Sequence, residues 1–230
     1  SMIAAYNESF EKYNVESGNF RVEKKLNKAQ IKYISQDGIS LYDNFYVEEP
    51  LDNGTTVRIF QNRQQVNLPC LMSGSLPQGR GEIAIDRMYA ENNHLAVGDR
   101  LTSGNRSWTV SGLIALPDYS ALFQDNNDTM FDSLLFGVAL VSQEDFADFG
   151  KDTLFYCYSW LYDTPPADEN QEKDMAEDVM NEVNQEASLE SFVPRYLNQA
   201  IRFTGDDMGG DRAMIIMFLY IVIAIMAFVF

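Results

Sequence analysis

The sequence predicts an α+β fold: a mixed sheet covered by helices, carrying a β-rich insertion and followed by the start of a transmembrane helix. Three observations predict it. Stretches of period-2 hydrophobicity alternate with stretches of helical period along most of the chain. Between Pro69 and Pro117 the chain turns rich in glycine, short strands and turns. From Ala213 to Phe230 it carries no charged residue.

In order, "NFRVEKKL" (Asn19 to Leu26) alternates as a strand, and "KAQIKYIS" places Ile31 and Ile34 at helical spacing before Asp37-Gly38 stops it. "NFYVEEP" and "TTVRIFQN" are expected to form a hairpin turning at Asn53-Gly54. "GEIAID" is a short strand, with Asp86 placed to cap a helix through "RMYAENN". "AVGDRLTSGNRSWTVSGLIAL" reads as strand, turn at Ser103-Gly104-Asn105, and strand, its core being Val97, Leu101, Trp108, Val110, Leu113 and Ile114. "LFGVALVS" is apolar enough to be a central strand covered on both faces. Ser142 is placed to cap "QEDFADF", with Gly150 to end it.

"TLFYCYSWLYD" is an aromatic strand that puts Phe155, Cys157, Ser159 and Leu161 on one face and Tyr156, Tyr158, Trp160 and Tyr162 on the other. Its aromatic stripe is expected to pack beneath the helix "DENQEKDMAEDVMNEVNQEA", whose apolar side is Met175, Val179, Val183 and Ala187. The acidic run from Asp168 to Glu190 is then the wet face of that helix. A final helix is expected from Ser191. The discontinuous sheet subdomain is assigned to residues 1–66 and 118–205, the β-rich insertion to 67–117, a junction to 206–212 and a truncated transmembrane helix to 213–230.

As a helix, Ala213 to Phe230 would span about 27 Å, close to the thickness of a bilayer's hydrocarbon core. The opening "SMIAAYNESF" has no basic stretch followed by an apolar one, so no signal peptide is expected there, and the chain is expected to be a segment lying between two others. With 34 acidic against 17 basic residues the chain lacks the footprint of a nucleic-acid binder or of a domain held to anionic lipid by charge. Only Arg195, Arg202 and Arg212 are basic in the twenty residues before Ala213, which places the domain outside the cytoplasm.

No catalytic, cofactor, metal or substrate-binding residue is assigned. Cys70 and Cys157 lie in apolar contexts, "LPCLM" and "FYCYS", so buried free thiols are expected, with a single bridge as the alternative. His94 is the lone histidine and is expected at a helix end on the surface. "DDMGGD" (Asp206 to Asp211) lacks the ligand spacing of a calcium loop, and "GSLPQGRGE" lacks the Lys-Ser/Thr of a phosphate loop. With no catalytic constellation, binding or mechanical coupling is expected rather than chemistry.

"GEIAIDRMYAENNHLAVGDRLTSGNRSWTVSGLIALPDYS" resembles the β-rich part of the extracytoplasmic domain in FtsX-like, MacB-type ABC transporter permeases. "FGVALVSQEDF" and "NQAIRFTGDDMGGDRAMIIMFLYIVIAIMAFVF" are similar to the later part of that domain and its entry into the second membrane helix. The resemblance covers roughly Gly81 to Phe230. It implies a non-catalytic domain lying between the first and second membrane helices of a permease subunit in a bacterial cell membrane. It also implies an ABC-type ATPase partner, with ATP bound there and no cofactor in this chain, and a second permease copy. The cargo or partner it implies is a peptide, antibiotic, lipoprotein or cell-wall-associated protein. Two alternatives stay open at this point: a ligand-sensing receptor domain, and a membrane-tethered hydrolase.

Overall fold

The computed structural model describes residues 8–206, together with Met214 and Met217. Among the described residues eleven strands form two sheets: β1 (Gly18–Val22), β2 (Ile39–Asp43), β3 (Tyr46–Pro50), β4 (Thr56–Gln61), β5 (Cys70–Gly74), β6 (Glu82–Asp86), β7 (Arg100–Ser103), β8 (Arg106–Ala115), β9 (Phe136–Val141), β10 (Tyr156–Tyr162) and β11 (Leu189–Pro194). Four helices accompany them: α1 (Lys28–Ile34), α2 (Arg87–Asn92), α3 (Gln143–Ala147) and α4 (Glu169–Glu186). Further helical segments cover residues 8–12 and 199–206.

The smaller sheet is antiparallel, in the order β11-β1-β10-β2. Phe20, Tyr158 and Trp160 are fully buried in it beneath α4, which contributes Val179 and Val183. The aromatic stripe therefore packs under the helix, as its alternation predicts. Phe192 stacks on Trp160 at 5.0 Å between centroids, and Phe20 on Tyr158 at 5.6 Å. α1 starts on a reciprocal capping box: Asn27 Oδ1 accepts from Gln30 N at 2.9 Å and Gln30 Oε1 from Asn27 N at 2.9 Å.

The larger sheet is mixed, in the order β3-β4-β9-β6-β8-β5 with β7 paired to β8. β4 and β9 run parallel, as do β6 and β8. β9 lies between β4 and β6 and is buried at all six positions, as its apolar run demands. Asp86 caps α2 by accepting from the N–H groups of Met88 and Tyr89, and Ser142 caps α3 by accepting from Asp145 N.

The chain is α+β as predicted, but its strands divide between sheets differently. β3, β4 and β9 hydrogen-bond into the same sheet as β5 to β8, so the boundary expected around residues 67–117 does not coincide with the sheet division, which falls at Asn44 and at Leu154. Pairing decides this: β4 and β6 each flank β9, and no seam is left between the expected insertion and its surroundings. Ser191 starts no helix. Leu189–Pro194 is a strand on β1, because Pro194 lacks an N–H and the Phe192-Val193 pair suits a pleated face. Val97, expected in the core, is 44% exposed. Among the described residues no helix is long and apolar enough to cross a membrane, and the expected span at 213–230 lies outside them but for Met214 and Met217.

Candidate functional site: a polar cleft between the sheets

The chain crosses between the sheets where β2 becomes β3 and where Phe155 leads into β10. Tyr46 and Phe155 bridge there, each backbone N–H donating to the other's carbonyl at 3.3 and 2.8 Å, and Asn44 N donates to Cys157 O at 2.9 Å. A third crossing precedes β1. Tyr13 O and Asn14 O accept from the N–H groups of Leu68 and Asn67, while Ser17 N donates to Trp160 O at 2.7 Å. Residues 13–17 thus strap the loop after β4 to the smaller sheet.

Between these crossings lies a cleft of about 540 Å³. Its walls are Arg21 and Asn19 from β1, Tyr46 from β3, Arg58 and Phe60 from β4, the loop carrying Asp118 to Asp128, and Glu190 to Val193 from β11. Arg58 is buried, with its guanidinium carbon 4.4 Å from the Tyr46 ring centroid. Its Nη1 donates to Tyr119 Oη at 2.8 Å, its Nη2 to Gln124 O at 3.0 Å, and it is ion-paired with Glu48. One guanidinium therefore fastens β3, β4 and the loop after β8 together. Arg21 donates to Tyr46 Oη at 3.1 Å and pairs with Glu190 at 2.8 Å, joining the two sheets across the cleft.

At the floor, Arg63 makes a bidentate pair with Asp118 at 2.6 and 2.9 Å, both side chains being 5% exposed. Beside it Glu16 is buried, its Oε1 accepting from Asn67 Nδ2 at 2.7 Å. Glu16 Oε2 and Arg63 Nε have no hydrogen-bond partner among the described residues. Burial, with the Asp118 carboxylate nearby, pushes the Glu16 carboxyl up to about 7. Burial also pushes the Cys157 thiol up to about 12, which keeps it protonated and unreactive. The cleft is thus lined by buried, paired charges and holds a carboxyl raised toward neutrality.

Cys70 and Cys157 are free thiols; Cys157 is buried as expected, while Cys70 is only half-buried. His94 is exposed just after α2 with φ 56°. In "GSLPQGRGE" the N–H groups of Gln78 and Gly81 are taken by the carboxylates of Glu82 and Asp145 at 2.6 and 2.8 Å. Of "DDMGGD", all but Asp206 lies outside the described residues. Among the described residues no group of three or more His, Cys, Asp or Glu is placed to hold a metal ion. The cleft residues were not assigned from sequence. Arg58 carried a signal, as a charged residue inside the apolar run Val57 to Phe60 has to find buried partners.

No protein-family model matches the chain, and no curated protein sequence matches it. Solved structures similar to it are extracytoplasmic or permease domains of other proteins. It is similar to a domain of a protein described as a permease from Porphyromonas gingivalis, at 14% identity and a TM-score of 0.35 over 76% of this chain and 86% of that one. It is similar to the extracellular domain of the noncanonic ABC-type transporter YknZ from Gram-positive bacteria, at 11% identity and a TM-score of 0.40, over 76% of this chain and 100% of that one. It is also similar to the periplasmic region of MacB from Actinobacillus actinomycetemcomitans, at 9% identity and a TM-score of 0.44, over 88% and 98%.

Proposed function

We propose that this chain is the extracytoplasmic domain of the permease subunit of a bacterial ABC-type transporter, and that it passes movement of its membrane segments to the cleft between its sheets. The domain itself is non-catalytic and carries no cofactor; ATP is hydrolysed by a partner ATPase, and a second permease copy completes the membrane part. A peptide, antibiotic, lipoprotein or cell-wall-associated partner is the cargo or target.

The observation that carries this is the convergence of the segments at residues 8–13 and 199–206. Ser9, Phe10 and Tyr13 line the same cavity, of about 440 Å³, as Ile201, Phe203 and Thr204. Two membrane segments side by side would leave the domain in this way. The sequence resemblance running from Gly81 into the apolar run supports the same assignment.

Residues 199–206 are also tied to the cleft wall. Ser120 Oγ donates to Ala200 O, Gln199 N donates to Asn126 Oδ1 at 3.0 Å, and Gln199 Nε2 donates to Asp128 O at 2.8 Å. Displacement of the segment would therefore pull on the loop that carries Asp118 and Tyr119. In the intact transporter with its ATPase, a disulfide between Asn126→Cys and Gln199→Cys should abolish coupled ATP hydrolysis, and reduction should restore it. Full coupling with the cross-link formed would rule out this route of transmission.

A further inference from the structure

Glu16 is 1% exposed, yet its side chain lines the cleft between the sheets. Its Oε1 accepts from Asn67 Nδ2 at 2.7 Å, whereas Oε2 has no hydrogen-bond partner among the described residues. A buried carboxyl oxygen of this kind calls for a donor. The titratable groups that face it are Asp118, Arg63 and Cys157. Arg63 commits both Nη atoms to Asp118, and burial keeps Cys157 a neutral thiol. The Glu16 carboxyl is raised by burial first and by Asp118 second, and Arg63 only partly offsets them. Among the described residues no cation is left to serve as its counter-ion.

The other cations of the walls are committed as well, Arg21 to Glu190 and Arg58 to Glu48. Asp125 and Asp128 also line the cleft and have no ion pair among the described residues. The uncommitted charge is therefore negative, and a cleft of one sign draws in ligands of the other. Among the described residues no three carboxylates are placed to hold a metal ion, so the cation that fits is organic. The walls also say what carries it. From β1 the alternate residues Asn19 and Arg21 line the cleft, so it meets that strand face-on. From β11 the four consecutive residues Glu190 to Val193 line it, and β11 is the edge of its sheet. A strand edge takes an extended peptide through main-chain hydrogen bonds.

A second acceptor lies beside Glu16. Asn19 neighbours its carboxyl, and Asn19 Oδ1 faces the Cys157 thiol with Sγ 3.9 Å away. A thiol is a weak donor, so this oxygen keeps the capacity to accept. An ammonium group has three donors on one compact charged head, enough for Glu16 Oε2 and Asn19 Oδ1 together, whereas a hydroxyl has one. We infer that the cleft binds a primary ammonium group carried by a short extended peptide, with Glu16 as its counter-ion, Asn19 as second acceptor and the edge of β11 beside the peptide backbone. The ammonium is that of the peptide's N-terminus or of a lysine side chain. The site stands on the cleft itself; its use for cargo rests on the transporter reading proposed above.

Calorimetric titration of the 230-residue chain in a nonionic detergent tests this, with alanyl-lysyl-alanyl-alanine amide as the probe. Its Nα-acetyl, Nε-acetyl and doubly acetylated forms are the comparisons. The free peptide should bind at least about tenfold more tightly than the doubly acetylated one, as charge-assisted hydrogen bonds are lost. The singly acetylated forms then tell the N-terminus from the lysine. Glu16→Gln should weaken binding about tenfold and Asn19→Ala less, while Glu177→Gln on the wet face of α4 should leave it unchanged. If Glu16→Gln does not fold, Asn19→Ala against Glu177→Gln decides alone. Equal binding of the free and doubly acetylated peptides would overturn the inference. So would an equal loss from Glu177→Gln, which would show diffuse attraction to the net charge. Absence of binding up to about 1 mM would overturn it too. None of these results bears on the transporter reading, which the cross-link between residues 126 and 199 tests separately.

Discussion

Glu16 and Asn67 exchange two hydrogen bonds across the seam between the sheets: Glu16 N donates to Asn67 Oδ1 at 2.9 Å, and Asn67 Nδ2 donates to Glu16 Oε1 at 2.7 Å. Asn67 sits in the left-handed region with φ 49°, as does Asn14 with φ 47°, and Asn67 N donates to Asn14 O at 3.0 Å. Asparagine tolerates this conformation better than most residues. Asn67→Ala should strand a buried carboxyl and a buried N–H and add backbone strain, at a cost of about 2–4 kcal/mol. Urea unfolding at neutral pH measures this; a loss within error of zero would mean the strap does not hold the sheets.

Stability should fall as pH rises through neutrality. Glu16 is raised from 4.5 to about 7, so between those values the folded chain holds a proton that the unfolded chain has released. Its contribution is complete below about 4.5 and is lost as pH climbs through about 7, amounting to about 3 kcal/mol. Asp86, raised to about 6 mainly by burial, acts in the same direction. Glu16→Gln should flatten this slope in denaturant midpoints taken between pH 5 and 8; an unaltered slope would place the proton elsewhere.

Asp118→Asn should cost about 3–5 kcal/mol, because it leaves Arg63 charged and buried without its partner. Replacing both, Arg63→Met with Asp118→Leu, should recover most of that loss. A double variant no more stable than the single one would assign the cost to packing.

Gly18→Ala tests how tightly β1 lies over Trp160. A methyl group there would run into the Trp160 ring, whose stacking on Phe192 leaves it little freedom to retreat. The expected destabilisation is about 1–3 kcal/mol, read by thermal or urea unfolding.

Arg58→Lys should keep the charge and lose the fork that reaches Glu48, Tyr119 and Gln124 together, at about 1–3 kcal/mol. Hydrogen exchange should rise over residues 117–128 more than over α4. A uniform rise would mean that Arg58 stabilises the sheet without holding the loop.

Local chemistry made much of the fold legible. The Asn53-Gly54 turn, the caps at Asp86 and Ser142, the all-apolar β9 and the helical stripe ending at Val183 arise from patterns a few residues long. The division into sheets does not, because only pairing partners far apart in sequence decide it. The same holds for the cleft: Glu16, Asn67 and Asp118 come from three separate segments, and nothing in any one of them announces the other two. Leu189–Pro194 misleads for a related reason, since β1 turns a short ambiguous stretch into an edge strand.

The placement of β1 has a consequence for how the chain matures. Gly18 pairs with Trp160 on one side and Pro194 on the other, so the first strand made waits for nearly all the rest before it acquires a neighbour. Folding dominated by such distant closures is slow, on the order of milliseconds to seconds. A nascent chain would meanwhile expose Phe20 and Val22 on an unpaired edge. Chaperones that shield extended apolar segments are therefore expected to govern its yield more than the stability of the finished domain does.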